Sequence, residues 1–394
     1  MLRRMSVIWS PSLNDEESQW RTTAARIADR SVRPYATDVD ARQRYPAEAL
    51  NALHECGISS MFLPSDFGGG GASMTAFCAV MEELAQACAS TAGVVATLQL
   101  GAMPVLEAGT LHQKARLLTG LTQERRAISF ALSERHSGSD PASMLTSATP
   151  ENGGWRIRGE KAWIGNGGLS HYYVVFAQTR PGSGGAGIAS FIVEASDAGI
   201  STATPEDKMG MRGTTNCTVR FDTFVPEERL LAPPGKALRL ALKSLTLGRL
   251  TVAAQALGMA LGSYKAAARR ASSRIAFGQP LVDHQGIGFR LADISTGISA
   301  GRALCYQTAR AYDDGHDISL LAAQAKLFCT EIAHKAVDTG VQIFGGEGFV
   351  KPSIVERLYR DQRATEIYEG TSEIQRLVIA RAIKREFQEQ ANHA

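Results

Sequence analysis

What this sequence lacks sets its first bounds. It has no cysteine pairing signal: Cys56, Cys78, Cys88, Cys217, Cys305 and Cys329 stand far apart, none in a CxxC and none beside histidines at ligand spacing. That argues against a disulfide framework or structural zinc and for reduced, mostly buried thiols in a cytoplasmic protein, with no metal expected. No continuous apolar run reaches the roughly 18 residues that span a bilayer. The first ten residues, MLRRMSVIWS, carry two arginines but no long hydrophobic segment, so neither a membrane span nor a secretory signal is expected. Charge of one sign is also scarce, 42 Lys and Arg against 39 Asp and Glu leaving a formal +3. A nucleic-acid partner, which needs a dense basic face, is therefore not expected. A few cations placed for a phosphorylated ligand remain compatible. There is no internal repeat and no low-complexity tract, and the glycine cluster at 68–71 lacks GxGxxG or Walker spacing.

What is present reads as an ordinary globular composition, 44% hydrophobic and 21% charged over 394 residues. That length divides into two or three domains. Residues 1–125 read as helices: Asn14 caps one over 14–30, and Pro46 starts a short one ending at Gly57. Another covers 74–89, and a small-residue helix follows through Val94, Leu98 and Met103. The four glycines at 68–71, in MFLPSDFGGGGAS, make a connector rather than a phosphate cradle, since no clear strand precedes them. Residues 126–233 change period. Runs such as ISFALS, GWRIRGEKAWIG, YYVVFAQTR, IASFIVEA and NCTVRFDTFV, separated by PENGG and RPGSGGAG, predict an antiparallel β-domain, a small barrel or sandwich. Residues 234–394 turn helical again. Ile287, Leu291, Ile294 and Ile298, then Ala325, Phe328, Cys329, Ile332 and Ala336, recur at helical spacing and predict a bundle of four or more helices. The expected fold class is α+β: helical domain, β-domain, helical bundle.

The densest chemistry lies in RDQRATEIYEGTSEIQRLVIAR, residues 360–381. Glu369 stands between a tyrosine and Gly370, at a break before a resumed helix. Thr371 and Ser372 occupy N-cap positions there, and Ser372 with Gln375 has capping-box spacing. A carboxylate at such a break is either a solvated loop residue or a general base whose proton affinity is raised by an apolar wall.

The run IYEGTSEIQR followed by LVIAR resembles the C-terminal signature of the acyl-CoA dehydrogenase family, and other motifs resembling that family's follow the same order along nearly the whole chain. The resemblance implies that Glu369 removes the α-proton of an acyl thioester while FAD accepts the β-hydride. FALSERHSGSD resembles the family's ALTEPxAGSD, which implies that Phe130, Leu132 and Ser133 lie against the flavin ring and that Ser139 bridges flavin and substrate. Arg135 and His136 depart from the usual Pro and Gly. KAWIGNGG resembles KxWITNG, which implies flavin contacts from Trp163, Ile164 and Gly165. Here Gly165 stands where a threonine hydroxyl would meet the flavin N5 edge, a hydrogen bond worth about 0.5–1.5 kcal/mol.

LTLGR resembles LDxGR, which implies that Arg249 lies near the catalytic glutamate; Thr246 replaces the aspartate that binds the pantetheine arm. Some branches carry the base on this helix, where Leu247 and Gly248 cannot serve, so Glu369 is the expected base. RIAFGQPLVDHQ resembles RxAFGxPLxxxQ, which implies FAD pyrophosphate and adenine contacts from Arg274, Phe277 and Gln285. QIFGGEGF resembles QxxGGxG, which implies that Gln342, Gly345 and Gly346 meet the FAD of a neighbouring subunit. Thr371 and Glu373 complete the flavin set, while Gly370 and Arg381 are expected at the substrate, beside Ser139 and Arg249. Implied partners are an acyl-CoA or acyl-carrier-protein substrate, electron-transferring flavoprotein as acceptor, and further copies of the chain in a homotetramer. The likeness is greatest to the short-chain branch of fatty acid metabolism. The rivals are a biosynthetic enzyme on a carrier-tethered acyl group, a flavin oxidase or monooxygenase, and a non-catalytic relative.

Overall fold

The computed structural model describes residues 7–393. Its first layer is helical. Helix α1 (Asp15–Ile27) starts at a reciprocal cap: Asn14 Oδ1 accepts the Glu17 N–H at 2.9 Å and Glu17 Oε2 accepts the Asn14 N–H at 2.9 Å. The expected run to residue 30 is shorter as α-helix. It widens into a π-turn over Ala28–Val32 and tightens over Arg33–Tyr35, because Pro34 supplies no N–H to continue the ladder. Short helices α2 (Ala36–Arg42) and α3 (Ala47–Glu55) follow, with Pro46 just outside the latter. Helix α4 (Met74–Ala87) is capped by Ser73, and the distant Asp313 carboxylate takes the N–H groups of Met74 and Thr75 at 2.7 and 3.0 Å. Cys88 is extended, so the expected single run to 89 breaks and restarts as α5 (Ala89–Ala108), before α6 (Leu111–Gln123).

The middle of the chain forms one hydrogen-bonded sheet of β1 (Ile128–Ala131), β2 (Ser147–Glu151), β3 (Gly154–Gly165), β4 (Tyr172–Gln178), β5 (Ile188–Glu194), β6 (Ile200–Thr202), β7 (Asn216–Pro226) and β8 (Leu230–Ala232). The order is β6-β7-β3-β2-β4-β5-β8, with β1 on β4. Most pairings are antiparallel. β1 runs parallel to β4 over four residues, and β2 touches β4 in parallel at Ser147 and Gln178, so the sheet is mixed. Strand β4 is buried on both faces, which is why YYVVFAQ shows no polar alternation.

The last third is built on α7 (Ala237–Ser273), 37 residues long, which packs against α4, α5 and two later helices, α8 (Gln285–Asp313) and α9 (Ser319–Phe344). A two-stranded hairpin, β9 (Ile275–Ala276) and β10 (Gln279–Pro280), joins α7 to α8. The chain ends with α10 (Gly346–Phe349), α11 (Ile354–Gln362) and α12 (Ser372–His393). One apolar core runs through α4, α5, α7, α8 and α9, including Ile294, Ile298, Ala325, Cys329 and Ala336. Phe328, expected on the same stripe, is exposed. By length and hydropathy α5 and α7 could each cross a bilayer, but 72% and 83% of those windows are buried inside the protein. That is the pattern of core helices.

Candidate active site

Glu369 and Gly370 both adopt left-handed backbone, at φ 57° and 85°. Glycine does so freely, whereas a glutamate gives up about 1–2 kcal/mol, so the turn must be held from outside. Three side chains hold it. Gln375 Nε2 donates to the carbonyls of Glu369 and Gly370 at 3.2 and 2.7 Å, and Lys326 Nζ donates to Gly370 O at 2.5 Å. Thr371 Oγ1 accepts the Ile374 N–H at 3.3 Å. The cap of α12 is thus Thr371, and the expected Ser372–Gln375 box does not form because Gln375 is spent on the turn.

The turn points the Glu369 side chain at Gly248 on α7. Its Oε2 is buried without a hydrogen-bond partner, and so is Arg249 Nε. Burial pushes the Glu369 carboxyl up to about 7, with the Lys326 and Arg249 charges opposing the rise. Burial likewise pushes the Arg249 guanidinium below its ordinary value, with the Glu369 charge working against it. Tyr368, next in the chain, donates to Gln255 Oε1 at 2.5 Å, and Gln255 donates in turn to Ala89 O at 3.0 Å. The residue before Glu369 is therefore tied to the α5 and α7 cores.

Glu369 lies on a cleft of about 680 Å³ walled by β-domain, α5, α7 and the 369–374 turn. From β1 and its exit come Phe130, Leu132, Ser133 and Ser139; from the end of β3 come Trp163, Ile164 and Gly165. A buried pair fixes these two segments together. Lys161 Nζ donates to Leu132 O at 2.9 Å and to Glu134 Oε1 at 2.8 Å, and the Ala162 N–H donates to Ser133 O at 2.9 Å. Burial pushes the Lys161 amine down to about 8, the Glu134 carboxylate countering it. A register shift between Lys161 and Ile164 then turns the backbone at Trp163 to φ 57°, leaving the indole about half exposed on the cleft wall. The Arg135 guanidinium stacks 5.9 Å over that indole and pairs with Glu206 at 2.7 Å. Thr246 donates to Leu242 O at 3.0 Å in its own helix and is not among the cleft residues.

Gly165 meets α5 so closely that a Cβ there would lie 2.9 Å from Thr97 Oγ1. The hydroxyl beside this strand end therefore comes from Thr97, across the cleft. The donor set suits a flat, polar-edged ring such as a flavin: aromatic and aliphatic walls, small hydroxyl residues, a strand end flush with a helix, and unpartnered Glu369 and Arg249 atoms.

Other expected residues lie elsewhere on the subunit. Arg274 ends α7, Phe277 (97% exposed) tips the β9–β10 hairpin, and Gln285 opens α8. Gln342, Gly345 and Gly346 sit where α9 meets α10. The Arg270–Glu347 ion pair at 2.7 Å brings these two groups to one end of the bundle. From Arg249 to Arg274 the helix axis advances about 37 Å, so this end is remote from Glu369 within one chain. Glu373 and Arg381 lie on the exposed face of α12. The sequence reading did not single out Lys326, Glu134, Lys161, Gln255 or Thr97. Each acts through a partner far along the chain, which no local pattern announces.

The chain matches three family models: acyl-CoA dehydrogenase N-terminal domain over residues 14–125, middle domain over 129–224, and C-terminal domain over 235–384. A probable acyl-CoA dehydrogenase, fadE25 of Mycobacterium leprae, is 39% identical over 95% of this chain and 96% of its own. Butyryl-CoA dehydrogenase from Megasphaera elsdenii superimposes with a TM-score of 0.92 at 33% identity, covering 95% of this chain and 100% of that one. The prolyl acyl carrier protein oxidase AnaB does so at 0.91 and 25% identity, covering 94% and 100%. The chain is therefore a member of the acyl-CoA dehydrogenase family of FAD-dependent oxidoreductases.

Proposed function

We propose that the protein oxidises a short-chain acyl-CoA to the 2,3-enoyl thioester, with Glu369 taking the proton from the α-carbon. One observation carries this reading: Glu369 Oε2 is buried and unpartnered at the wall of an apolar cleft, and burial pushes the carboxyl up to about 7. A base with that proton affinity is ionised in useful amount near neutral pH and still holds a proton once it has one. Arg249 and Lys326 keep it from rising further. FAD, when bound, supplies the acceptor for the hydride that leaves the β-carbon.

The chain's own residues bind and orient. Phe130, Leu132, Trp163 and Ile164 offer apolar walls to the ring, while Ser133, Ser139, Gly165 and Thr371 bring hydroxyls and backbone to its edge. Gly370 keeps the passage beside Glu369 narrow but open. In this reading Glu373 joins Thr371 at the flavin and Arg381 meets substrate, while Arg274, Phe277, Gln285, Gln342, Gly345 and Gly346, gathered at the far end of the bundle, complete the cofactor site of a second copy. Their distance from Glu369 along α7 supports a homo-oligomer. So does the apolar surface at that end, where Ile275, Phe277, Phe289 and Phe349 are 64, 97, 62 and 83% exposed. Electron-transferring flavoprotein is the proposed acceptor.

A second reading, a carrier-protein-tethered acyl group, draws support from the Arg135–Trp163 stack at the rim and from Thr246, whose hydroxyl is used within its helix. Both are tested by mixing the holoenzyme with acyl-CoAs of increasing chain length, and with butyryl-carrier protein, and following loss of the oxidised flavin band. Fastest bleaching by butyryl-CoA supports the first reading; bleaching by the carrier-bound group alone supports the second. No bleaching by any thioester would end both.

A further inference from the structure

Lys326 enters the chemistry above only as a charge near Glu369, yet its position is unusual for a lysine. It is 1% exposed, on α9, and among the described residues no carboxylate lies within 4.0 Å of it. A buried ammonium without an ion-pair partner is costly unless it serves something. Its Nζ donates to the Gly370 carbonyl at 2.5 Å, where Gln375 already donates from α12 at 2.7 Å. Two helices thus converge on the peptide that follows the base, in a turn whose two residues are both left-handed. A neutral donor would satisfy the carbonyl equally well, so the charge needs its own reason.

The charged groups around Lys326 supply one. Burial pushes the Lys326 amine down to about 8, so it is charged through the acid limb near pH 6; Glu369, Glu366 and Glu373 favour its ammonium, and Arg249 on α7 opposes it. Glu366 is committed to His334 and Arg363, both at 2.8 Å, and Glu373 is exposed. That leaves Glu369, whose buried Oε2 has no hydrogen bond of its own, as the group the ammonium serves.

We propose that Lys326 is a positioning residue for proton abstraction: its ammonium anchors the Gly370 carbonyl, aiming the Glu369 carboxyl into the cleft, and places a positive charge behind that carboxyl. The inference rests on Glu369 being the base. Removing the charge raises the carboxyl's proton affinity, and removing the donor loosens the turn. The two roles separate by substitution. Lys326→Met deletes both, Lys326→Gln keeps a donor without charge, and Lys326→Arg keeps the charge.

The test is the pH profile of kcat/KM from pH 5 to 9 on FAD-loaded protein with butyryl-CoA, alongside Glu369→Gln. The expected result is an acid limb moved up by about one pH unit, a tenfold loss at pH 6, in the Met and Gln variants. The Arg variant should keep the parental limb, and the plateau rate should fall in Met more than in Gln. FAD content and thermal midpoint identify any variant that fails to fold, in which case the other two decide. An unchanged acid limb in the Met and Gln variants, with rate falling only as thermal midpoint falls, overturns the proposal. Full activity in Glu369→Gln would instead overturn the assignment of the base, a separate failure.

Discussion

Gly248 lies so close to Glu369 that a methyl group on its α-carbon would stand 2.4 Å from the carboxyl Oε2. The helix that carries Arg249 therefore leaves a notch one residue earlier, and the carboxyl fills it. Gly248→Ala should push the carboxyl from this position while leaving the helix intact, since alanine is the better helix former. The expected outcome is unchanged or slightly higher thermal stability with kcat/KM down at least about tenfold, because a displacement near 1 Å at a reacting group is costly. Full activity in this variant would mean that the carboxyl does not work from where it stands.

The raised proton affinity of Glu369 also predicts how stability changes with pH. The folded value, about 7, exceeds the ordinary 4.5. Between these the unfolded chain has released a proton that the folded chain retains, so this group's contribution falls as pH rises from about 4.5 through 7 and then levels off. Glu369→Gln escapes that cost. Its unfolding free energy should equal the parent's near pH 4.5 and exceed it at pH 8 by up to about 3 kcal/mol, seen as a higher thermal midpoint there. A constant difference across the range would contradict the burial argument.

At the β3 end, Gly165 and Thr97 share one space. Gly165→Thr should clash with the Thr97 side chain, whose Oγ1 is held by Gly93 O at 2.9 Å. We expect loss of bound FAD and a lower thermal midpoint, both recovered when Thr97→Ala is added. The measurement is the flavin-to-protein absorbance ratio after gel filtration. Failure of the double variant to recover would show that the glycine is required for another reason.

Asp361 ties the cleft wall to α11. Burial pushes its carboxyl up to about 6, and it accepts the Met211 N–H at 2.5 Å. Asp361→Asn keeps an acceptor there and should stay within about 1 kcal/mol of the parent. Asp361→Ala leaves the N–H buried and unpaired and should lose about 1–3 kcal/mol. Chemical denaturation of both variants checks the ordering.

Much of this was legible in the sequence because the cleft is built from contiguous strings. Phe130 to Ser133, Trp163 to Gly165, and Tyr368 to Thr371 each carry their spacing with them, and helix and strand periods separate the three regions. What was not legible depends on pairing at a distance. Lys326 reads as one lysine in an apolar helix, and nothing in AAQAKLFC points to a carbonyl 44 residues away. Lys161 and Glu134 are 27 residues apart and meet only because β1 and β3 converge. Gln375 had the spacing of a capping box, but the left-handed turn beside it offered two carbonyls and won. The parallel seat of β1 on β4 likewise leaves no trace in either strand's alternation.

The most direct measurement is single-turnover reduction of the enzyme-bound flavin by butyryl-CoA in the parent and in Glu369→Gln, with FAD content and substrate affinity determined for both. The account predicts that the variant retains FAD and binds substrate with little change, while flavin reduction slows by about a thousandfold or more, within the range a positioned base supplies. Reduction at the parental rate in a variant that holds both ligands would contradict it.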